Sequence, residues 1–229
     1  MNTAIIVAAG SGERFGSEIP KQFIEINGKP VIVHTIERFQ DAPSIDSIVL
    51  VVAENYIPQC EAVVAVYPKL AKIVAGGRTR AESVRNGLRA VDPECDLVAV
   101  HDGARPFVTI DEIERTVGKA KETGAACLVA AVTDTIKSVR GGEIADTLDR
   151  DKLRRALTPQ VFRKDVLTRA FENADLTGTV TDECYLVEKL RYSISFVEGS
   201  SRNIKITHPD DLTFAEALLS NEDWLIANS

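Results

Sequence analysis

The chain alternates between short apolar runs and segments in which apolar residues recur at helical spacing. Short apolar runs typical of buried strands occur at Ala4–Ala9, Ser47–Ala53, Ala71–Ala75, Leu97–His101 and Ala126–Val132. Segments with helical spacing lie between them at Val31–Gln40, Asn55–Val66, Thr79–Val91 and Thr109–Thr123. Because strands and helices alternate, the pattern predicts an α/β, Rossmann-like fold. Its sheet is expected to be twisted and mostly parallel, with helices on both faces.

The later part of the chain predicts further elements around the same sheet. Thr109 followed by Glu112 has the spacing of a capping box, which places a helix start just past Pro106. After residue 150 we expect further helices, a strand near Ser193–Glu198, an alternating segment at Asn203–Thr207 and a closing helix from Pro209. Alternation would put Ile204 and Ile206 on one face of that segment and Lys205 on the other.

The segment 133–150 interrupts the alternation of strands and helices. Gly141-Gly142 separates two short runs, Thr135–Val139 and Ile144–Leu148, which predicts a β-hairpin. A hairpin inserted late in an α/β domain has no core of its own to bury. It therefore either lies back on the domain or reaches another chain, and we favour a protruding dimerisation arm.

A glycine-rich loop with two cations follows the first apolar run. It carries Gly10, Gly12 and Gly16, together with Arg14 and Lys21. Glycines allow positive φ angles and let backbone N–H groups approach an anion closely. Arginine and lysine side chains add the positive charge that a polyphosphate requires. The loop is therefore interpreted as a phosphate cradle.

Two other phosphate-binding loops do not fit this segment. The Walker A pattern requires Lys-Ser or Lys-Thr after its last glycine, whereas Gly16 is followed by Ser17-Glu18. The dinucleotide fingerprint requires a different glycine spacing and an acidic residue about twenty positions further on. The next convincing strand, Ser47–Ala53, ends too late to supply that residue.

The unusual polar clusters of the chain fall at the carboxyl ends of predicted strands. The loop after Ala75 carries Gly76-Gly77-Arg78, with Ser83 on the following helix, and the loop after Val100 carries His101-Asp102-Gly103-Ala104-Arg105-Pro106. In open α/β sheets, ligands bind outside the carboxyl ends of the strands. These clusters and the glycine-rich loop are therefore expected to converge on one site.

Asp102 and His101 are the candidates for acid–base or metal chemistry at this site. A carboxylate opposite a phosphate cradle is where a Mg²⁺ ion that bridges phosphates would be held, so Asp102 is the candidate metal ligand. The alternative is that Asp102 caps the next helix or pairs with Arg105. His101 continues a strand and is interpreted as a half-buried structural residue, and His34 and His208 are interpreted as structural too.

Composition and charge narrow the range of functions. The 229 residues suit a single domain, 1–229, and the net charge of −7 argues against an extended nucleic-acid surface. The four cysteines show no C-x-x-C pair and no companion histidines, which favours free thiols in a reducing compartment. No basic segment precedes the first apolar run, and no run approaches the roughly 20 apolar residues of a membrane span. We therefore expect a soluble, cytoplasmic protein without membrane or nucleic-acid partners.

Eight motifs, in order along almost the whole chain, resemble those of the 2-C-methyl-D-erythritol 4-phosphate cytidylyltransferase family of the non-mevalonate isoprenoid pathway. They are AAGSGERFG, PKQF, GGRTRAESV, HDGARPFV, DTLDR, LTPQVF, VTDE and NIKIT. The resemblance implies an Mg²⁺-dependent homodimer that binds CTP and a sugar-alcohol phosphate. CMP would be transferred from CTP to 2-C-methyl-D-erythritol 4-phosphate, with release of pyrophosphate.

The resemblance also implies roles for particular residues. The nucleotide would contact Ala8, Ala9, Gly10, Ser11, Gly12, Gly77 and Ser83, and the catalytic cations would be Arg14, Lys21 and Lys205. The acceptor would face Arg105, Thr158 and Thr181, and Thr135 and Arg150 would reach the acceptor site of the neighbouring subunit. Asp102 would bind Mg²⁺. Because Gly199–Arg202 offers no acidic residue, Asp102 is expected to be the single protein ligand of the metal.

Several alternatives stay open at this stage. A ribitol-5-phosphate cytidylyltransferase would share the cradle and the CTP loops and would differ on the acceptor side. A nucleotidylyltransferase for a sugar 1-phosphate is a more distant possibility. A non-catalytic nucleotide-binding module would be expected to lack at least one of Arg14, Lys21, Asp102 and Lys205, and all four are present. An NAD-dependent oxidoreductase is disfavoured by the missing acidic residue of the dinucleotide fingerprint.

Overall fold

A seven-stranded, mostly parallel sheet forms the centre of the protein. The computed structural model describes residues 1–10, 15, 20–64, 66–176 and 178–220. The sheet strands are β1 (Asn2–Ala8), β4 (Ser47–Val52), β5 (Leu70–Ala75), β6 (Leu97–Asp102), β7 (Ala125–Ala131), β10 (Arg154–Arg163) and β11 (Ser195–Glu198). Their order is β11-β7-β10-β6-β1-β4-β5, and β10 runs antiparallel to both neighbours. Two short strands, β2 (Glu25–Ile26) and β3 (Lys29–Pro30), form a separate pair.

Helices cover both faces of the sheet, as the sequence predicted. They are α1 (Val31–Asp41), α2 (Ile57–Val64), α3 (Arg80–Ala90), α4 (Ile110–Thr123), α5 (Lys164–Glu172), α6 (Glu183–Lys189) and α7 (Asp210–Leu219). One apolar core contains Ile36 of α1 and Val117 of α4, and a second contains Val84 of α3 and Leu167 of α5. Along β1, side chains alternate between these two cores because successive residues of a strand point to opposite faces.

The predicted helix starts differ little from the observed ones. Thr109 and Glu112 form the complete capping box that the sequence indicated, and α4 ends at Gly124, whose φ of 86° is left-handed. The segment predicted as one helix from Asn55 instead begins with a 3-10 turn at Glu54–Tyr56 and continues as α2. Within the described ranges, none of the helices combines the length and apolar character needed to cross a membrane.

The predicted hairpin is confirmed, with β8 (Lys137–Arg140) and β9 (Glu143–Thr147) paired as a separate two-stranded sheet. Gly141 and Gly142 connect the strands with φ angles of 60° and 87°. Two consecutive positive φ angles match the right-handed twist of a hairpin and suit glycine. Val139 and Ile144 are 70% and 68% exposed, so this arm presents apolar side chains to its surroundings.

Two segments differ from the sequence prediction. The segment around Thr158 was not expected to form a strand, yet it lies in β10, between β6 and β7. Pro159 cannot donate to a ladder, and the register of β10 shifts between Ala156 and Gln160, which lets the sheet accommodate it. Asn203–Thr207 is not a strand: it is irregular, and the Ile206 N–H donates to the Ala104 carbonyl at 2.8 Å.

The remaining expectations for the end of the chain are met. Strand β11 lies where a strand near Ser193–Glu198 was predicted, and Pro209 is the N-cap of α7. Ile206 is fully buried and packs with Phe107 and Ala215 in a third apolar cluster, which fixes the position of the chain on either side of Lys205. All four cysteines are free and buried, as expected.

Candidate functional site

A cleft opens at the carboxyl ends of β1, β5 and β6. Its cavity of about 600 Å³ is lined by Val7, Ala8, Ala9, Gly10, Gln22, Gly77, Arg78, Thr79, Arg80, Ser83, Asp102, Ala104 and Lys205. These residues come from the three loops that the sequence singled out and from the segment that contains Lys205. The prediction that the loops converge is therefore confirmed for their described residues, and we call this space the larger cavity because a smaller one adjoins it.

Gly77 and Ser83 line the larger cavity, and the adjacent Gly76 packs closely against Ala9 and Ser83. A Cβ atom on Gly76 would clash with the Ala9 side chain and would lie 2.9 Å from Ser83 Oγ, so only glycine allows this approach. Ser83 Oγ accepts from the Gly77 N–H at 3.0 Å and donates to the Thr79 carbonyl at 2.9 Å. The predicted nucleotide-binding residues Gly77 and Ser83 are thus joined to each other.

The start of the glycine-rich loop forms another part of the lining. Ala8, Ala9 and Gly10 line the cavity, and the buried Gln22 side chain donates to the Ala8 carbonyl at 2.7 Å. This bond ties the 3-10 turn Lys21–Phe23 to the end of β1. Ser11, Gly12, Arg14 and the side chain of Lys21 lie outside the described part of the chain.

Asp102 lies among three cations at the end of β6. Its Oδ1 accepts from Arg80 Nε at 2.8 Å, its Oδ2 accepts from Lys205 Nζ at 2.7 Å, and Arg105 Nε lies 3.6 Å from Oδ2. Burial opposes ionisation of this carboxyl, but the charges of Arg80 and Lys205 outweigh it and hold the pKa of Asp102 well below its usual range. Asp102 is therefore an ionised carboxylate. Its pairing with Arg105, the alternative role considered from the sequence, is present as well.

A smaller cavity of about 260 Å³ adjoins this cluster. It is lined by Arg80, Asp102, Arg105, Ala156, Leu157, Thr158, Gln160, Thr181, Asp182 and Lys205. The three predicted acceptor residues Arg105, Thr158 and Thr181 thus lie together. Arg80, Asp102 and Lys205 line both cavities, so the charged cluster forms their common boundary.

His101 is a structural residue, as predicted, but it is fully buried rather than half-buried. Its Nε2 lies 3.0 Å from the Arg105 carbonyl oxygen, and its Nδ1 lies 3.0 Å from Thr158 Oγ1. Because a carbonyl can only accept, Nε2 carries the proton and Nδ1 accepts from Thr158. Thr158 Oγ1 in turn accepts from the Asp102 N–H at 3.2 Å. His101 therefore fixes the walls of the smaller cavity.

Lowering the pH from 7 to 4 is expected to destabilise the protein through His101. Burial lowers the pKa of His101 from 6.5 to about 4. Between these values the unfolded state binds a proton that the folded state does not, so stability falls as the pH falls, by about 3 kcal/mol over the window. Urea unfolding of the wild type and of a His101→Gln variant tests this. The variant should show a flatter pH dependence, and equal slopes would contradict the assignment.

Two charged residues of this region were missed by sequence reasoning. Arg80 begins α3 and Glu183 begins α6, and the two side chains form a bidentate pair with distances of 2.7 and 3.0 Å. Glu183 is fully buried. Both lie inside recognised motifs, GGRTRAESV and VTDE, but charged residues in the first turn of a helix are usually solvated. No local spacing signals a contact across 103 positions of sequence.

Thr135 and Arg150 are not brought to the cleft of their own chain. Both are exposed, and Arg150 Nη1 donates to the Thr133 carbonyl at 2.6 Å at the base of the arm. Neither is among the described residues that line the two cavities. Their expected contribution to a neighbouring subunit stays a prediction.

The carboxylate chemistry of the cleft fits a magnesium ion only with a single protein ligand. The described residues contain no group of three or more His, Cys, Asp or Glu side chains placed to hold a metal. Asp102 supplies one ionised carboxylate, the ligand type that Mg²⁺ prefers, and substrate phosphates and water commonly complete the shell of this ion.

The sheet topology defines a Rossmann-like α/β protein with two adjoining cavities at the carboxyl ends of its strands. Comparison with models of known families matches residues 2–221 to IspD, 2-C-methyl-D-erythritol 4-phosphate cytidylyltransferase. The chain belongs to this family.

Individual relatives agree with this family. The 2-C-methyl-D-erythritol 4-phosphate cytidylyltransferase of Syntrophus aciditrophicus is 44% identical over 230 residues, covering 97% of each chain. The protein of the same name from Bacillus velezensis is 44% identical and covers 95% of each chain. The solved structure of 4-diphosphocytidyl-2C-methyl-D-erythritol synthase from Anaerococcus prevotii superimposes with a TM-score of 0.86. It is 31% identical and covers 96% of this chain and 98% of its own.

Proposed function

We propose that this protein transfers CMP from CTP to 2-C-methyl-D-erythritol 4-phosphate, releasing pyrophosphate, in the synthesis of isoprenoid precursors. One observation carries the proposal beyond family membership: Arg80, Asp102 and Lys205 line both cavities. A nucleotide in the larger cavity and a phosphorylated acceptor in the smaller one would meet at this charged boundary. A volume of about 600 Å³ is within the range of cofactor-sized sites.

Each side of the boundary has its own set of proposed contacts. Ala8 to Gly12, Gly77 and Ser83 would hold the nucleotide, and Arg105, Thr158 and Thr181 would face the acceptor. Lys205 Nζ would approach the α-phosphate, with Arg14 and Lys21 neutralising the rest of the triphosphate. The placement of Lys205 at the common boundary supports this assignment.

The reaction needs no general base from the protein. The second pKa of a phosphate monoester is near 6, so an acceptor oxygen is largely deprotonated at neutral pH. That oxygen attacks the α-phosphorus, the bond from the α-phosphorus to the bridging oxygen breaks, and pyrophosphate leaves with the bonding electrons. Lys205 and the loop cations stabilise the charge that develops. The buried, neutral His101 is consistent with this scheme.

Magnesium dependence is part of the proposal. Asp102 would hold Mg²⁺, which supplies charge neutralisation of the triphosphate when bound. Arg80 and Lys205 orient the carboxylate from either oxygen.

Pyrophosphate release from CTP and Mg²⁺ tests the proposed function, with 2-C-methyl-D-erythritol 4-phosphate and ribitol 5-phosphate assayed in parallel. Turnover with the first acceptor alone is expected. Turnover with ribitol 5-phosphate alone would keep the mechanism and overturn the acceptor assignment. No turnover in a protein that still binds CTP would indicate a non-catalytic binding module.

Replacing Lys21 with alanine is expected to lower kcat by about two orders of magnitude and to leave stability nearly unchanged. The reason is that the lysine charge would act on the transition state, where a lost donor of this kind costs on the order of 3 kcal/mol. Steady-state kinetics and thermal unfolding of the variant check this. Matching losses of activity and stability would refute the assignment.

We also propose that the protein is a cytoplasmic homodimer whose arm completes the acceptor site of the partner. The free, buried cysteines support a reducing compartment. The exposed Val139 and Ile144 on the arm support a contact with a second copy. Thr135 and Arg150 would then act across the subunit boundary. Light scattering that finds only a monomer at working concentration would remove this claim.

Mixing two inactive variants tests whether the arm acts in the partner. Lys205→Ala and Arg150→Ala are each expected to be impaired as homodimers. If the two chains pair at random, about half of the dimers are mixed, and each mixed dimer would contain one intact site out of two. A co-expressed mixture should therefore recover about a quarter of wild-type activity. If Arg150 served the site of its own chain, every site in the mixture would be defective and no activity would return.

A further inference from the structure

Arg80 connects three elements at the boundary of the two cavities. It is the first residue of α3, its Nε donates to Asp102 Oδ1 at the end of β6, and its two terminal nitrogens donate to Glu183 at the start of α6. Three of the five guanidinium N–H donors are thus directed at protein carboxylates. The guanidinium is oriented by Glu183, and this orientation determines where its Nε points.

Glu183 balances the charge of Arg80 without contacting Asp102. Glu183 is fully buried, so an unpaired negative charge on it would destabilise the fold. A bidentate pair with arginine fixes both side chains in one geometry. Without Glu183, the Arg80 guanidinium would be free to rotate toward Asp102 or toward an incoming phosphate. When Glu183 holds the two terminal nitrogens of Arg80, only Nε is directed at the Asp102 carboxylate.

The start of α6 does not depend on this pair alone. Gln160 Nε2 donates to Asp182 Oδ2 at 2.9 Å, and the Cys184 N–H donates to Gln160 Oε1 at 3.0 Å. Asp182 also caps the helix by accepting from the Tyr185 N–H. Removing the Arg80–Glu183 pair should therefore leave the other residues of the smaller cavity's wall in place and affect mainly the orientation of Asp102.

We propose that Arg80 and Glu183 are a positioning pair. Together they hold the Asp102 carboxylate in the orientation that the reaction needs, with Oδ2 facing Lys205 at the boundary of the two cavities. This inference rests on the proposed function, because the orientation matters only if the reacting groups meet there. Arg80 contacts Asp102, and Glu183 acts only through Arg80. A misplacement of about 1 Å at such a group can cost 100-fold in rate.

The double variant Arg80→Met/Glu183→Met separates positioning from stability. Replacing both members of a buried ion pair by apolar side chains of similar size is often neutral for stability, whereas removing one partner is not. We expect thermal unfolding close to that of the wild type and kcat lowered about 100-fold. The KM values for both substrates and the calorimetric affinity for CTP should change less than about threefold, because the Arg80 nitrogens are engaged by Asp102 and Glu183 and the other residues that line the two cavities are unchanged. The single variant Arg80→Lys should also have a lowered kcat, because a lysine cannot donate to both carboxylates in the same planar geometry.

The matched control is Lys29→Met/Glu37→Met, which removes a partly buried ion pair of 2.8 Å outside the described lining of both cavities. It should keep wild-type kcat. A folded Arg80→Met/Glu183→Met variant with unchanged kcat would overturn the proposal. If that variant does not fold, the isosteric Glu183→Gln variant decides: a selective loss of kcat supports the proposal, and an unchanged kcat overturns it. A wild type without turnover would instead refute the proposed function itself.

Discussion

Replacing Asp102 with asparagine is expected to lower kcat by at least about three orders of magnitude and the free energy of unfolding by about 3 kcal/mol. Asp102 is 7% exposed, and its carboxylate lies between Arg80, Lys205 and Arg105. Its removal leaves Lys205 and Arg105 without this carboxylate partner, while Arg80 keeps only Glu183. The amide can neither neutralise the lysine nor serve as an anionic ligand for a metal ion.

Steady-state kinetics and urea unfolding of the same Asp102→Asn preparation check this double effect. Asp111→Asn is the control, since that carboxylate also pairs with an arginine, at 2.7 Å, but its side chain is 74% exposed. The control should change neither property appreciably, because exposed ion pairs contribute little. An Asp102→Asn variant with wild-type turnover would contradict the central place of this carboxylate in the cleft.

Replacing Lys205 with alanine is expected to lower kcat by roughly 10²–10³ while stability changes little. Asp102 would keep Arg80 and Arg105 as partners, so no buried charge is left unpaired. Catalysis would lose the cation at the boundary of the two cavities, and this cation would stabilise charge mainly in the transition state. CTP affinity should therefore fall much less than kcat.

Lys72→Ala is the control for Lys205→Ala. Its ammonium donates to the Ala90 carbonyl at 2.7 Å, and Lys72 is not among the described residues that line the two cavities. Kinetics with both substrates and calorimetry with CTP distinguish the possible roles of Lys205. A Lys205→Ala variant that loses CTP binding and turnover in equal proportion would show that Lys205 binds the nucleotide rather than assisting its reaction.

The parts of the fold that the sequence predicted are those determined by local pattern. The apolar runs of β1 and β4 are buried on both faces and read as continuous strands. The capping box at Thr109 fixed the start of α4, and Gly141-Gly142 indicated the hairpin. In each case, residues within a few positions of one another determine the structure.

The parts that the sequence could not predict depend on contacts between distant residues. Strand β10 contains Pro159 and a register shift, and both weaken the local strand pattern. The irregular conformation around Lys205 is fixed by bonds to distant residues, including the one that Arg105 Nη1 donates to the Asn203 carbonyl at 2.8 Å. The Arg80–Glu183 contact spans 103 positions.

The candidate site also has features that the sequence predicted and features that it did not. Strand-end position alone predicted that the three loops converge, because the carboxyl ends of parallel strands meet at one edge of a sheet. Arg105, Thr158 and Thr181 lie together because β10 pairs with β6 and the start of α6 is bonded to Gln160 of β10, and the residues alone did not indicate this arrangement. It was the family resemblance that indicated it.

The central claim is that the two cavities join a nucleotide and an acceptor phosphate into one product. Phosphorus NMR of an equimolar mixture of CTP, 2-C-methyl-D-erythritol 4-phosphate, Mg²⁺ and a catalytic amount of the protein tests this most directly. The account predicts that the monoester signal of the acceptor disappears as two coupled diphosphate signals and free pyrophosphate appear. Release of CMP with the acceptor signal unchanged would show hydrolysis rather than transfer, and would contradict the account.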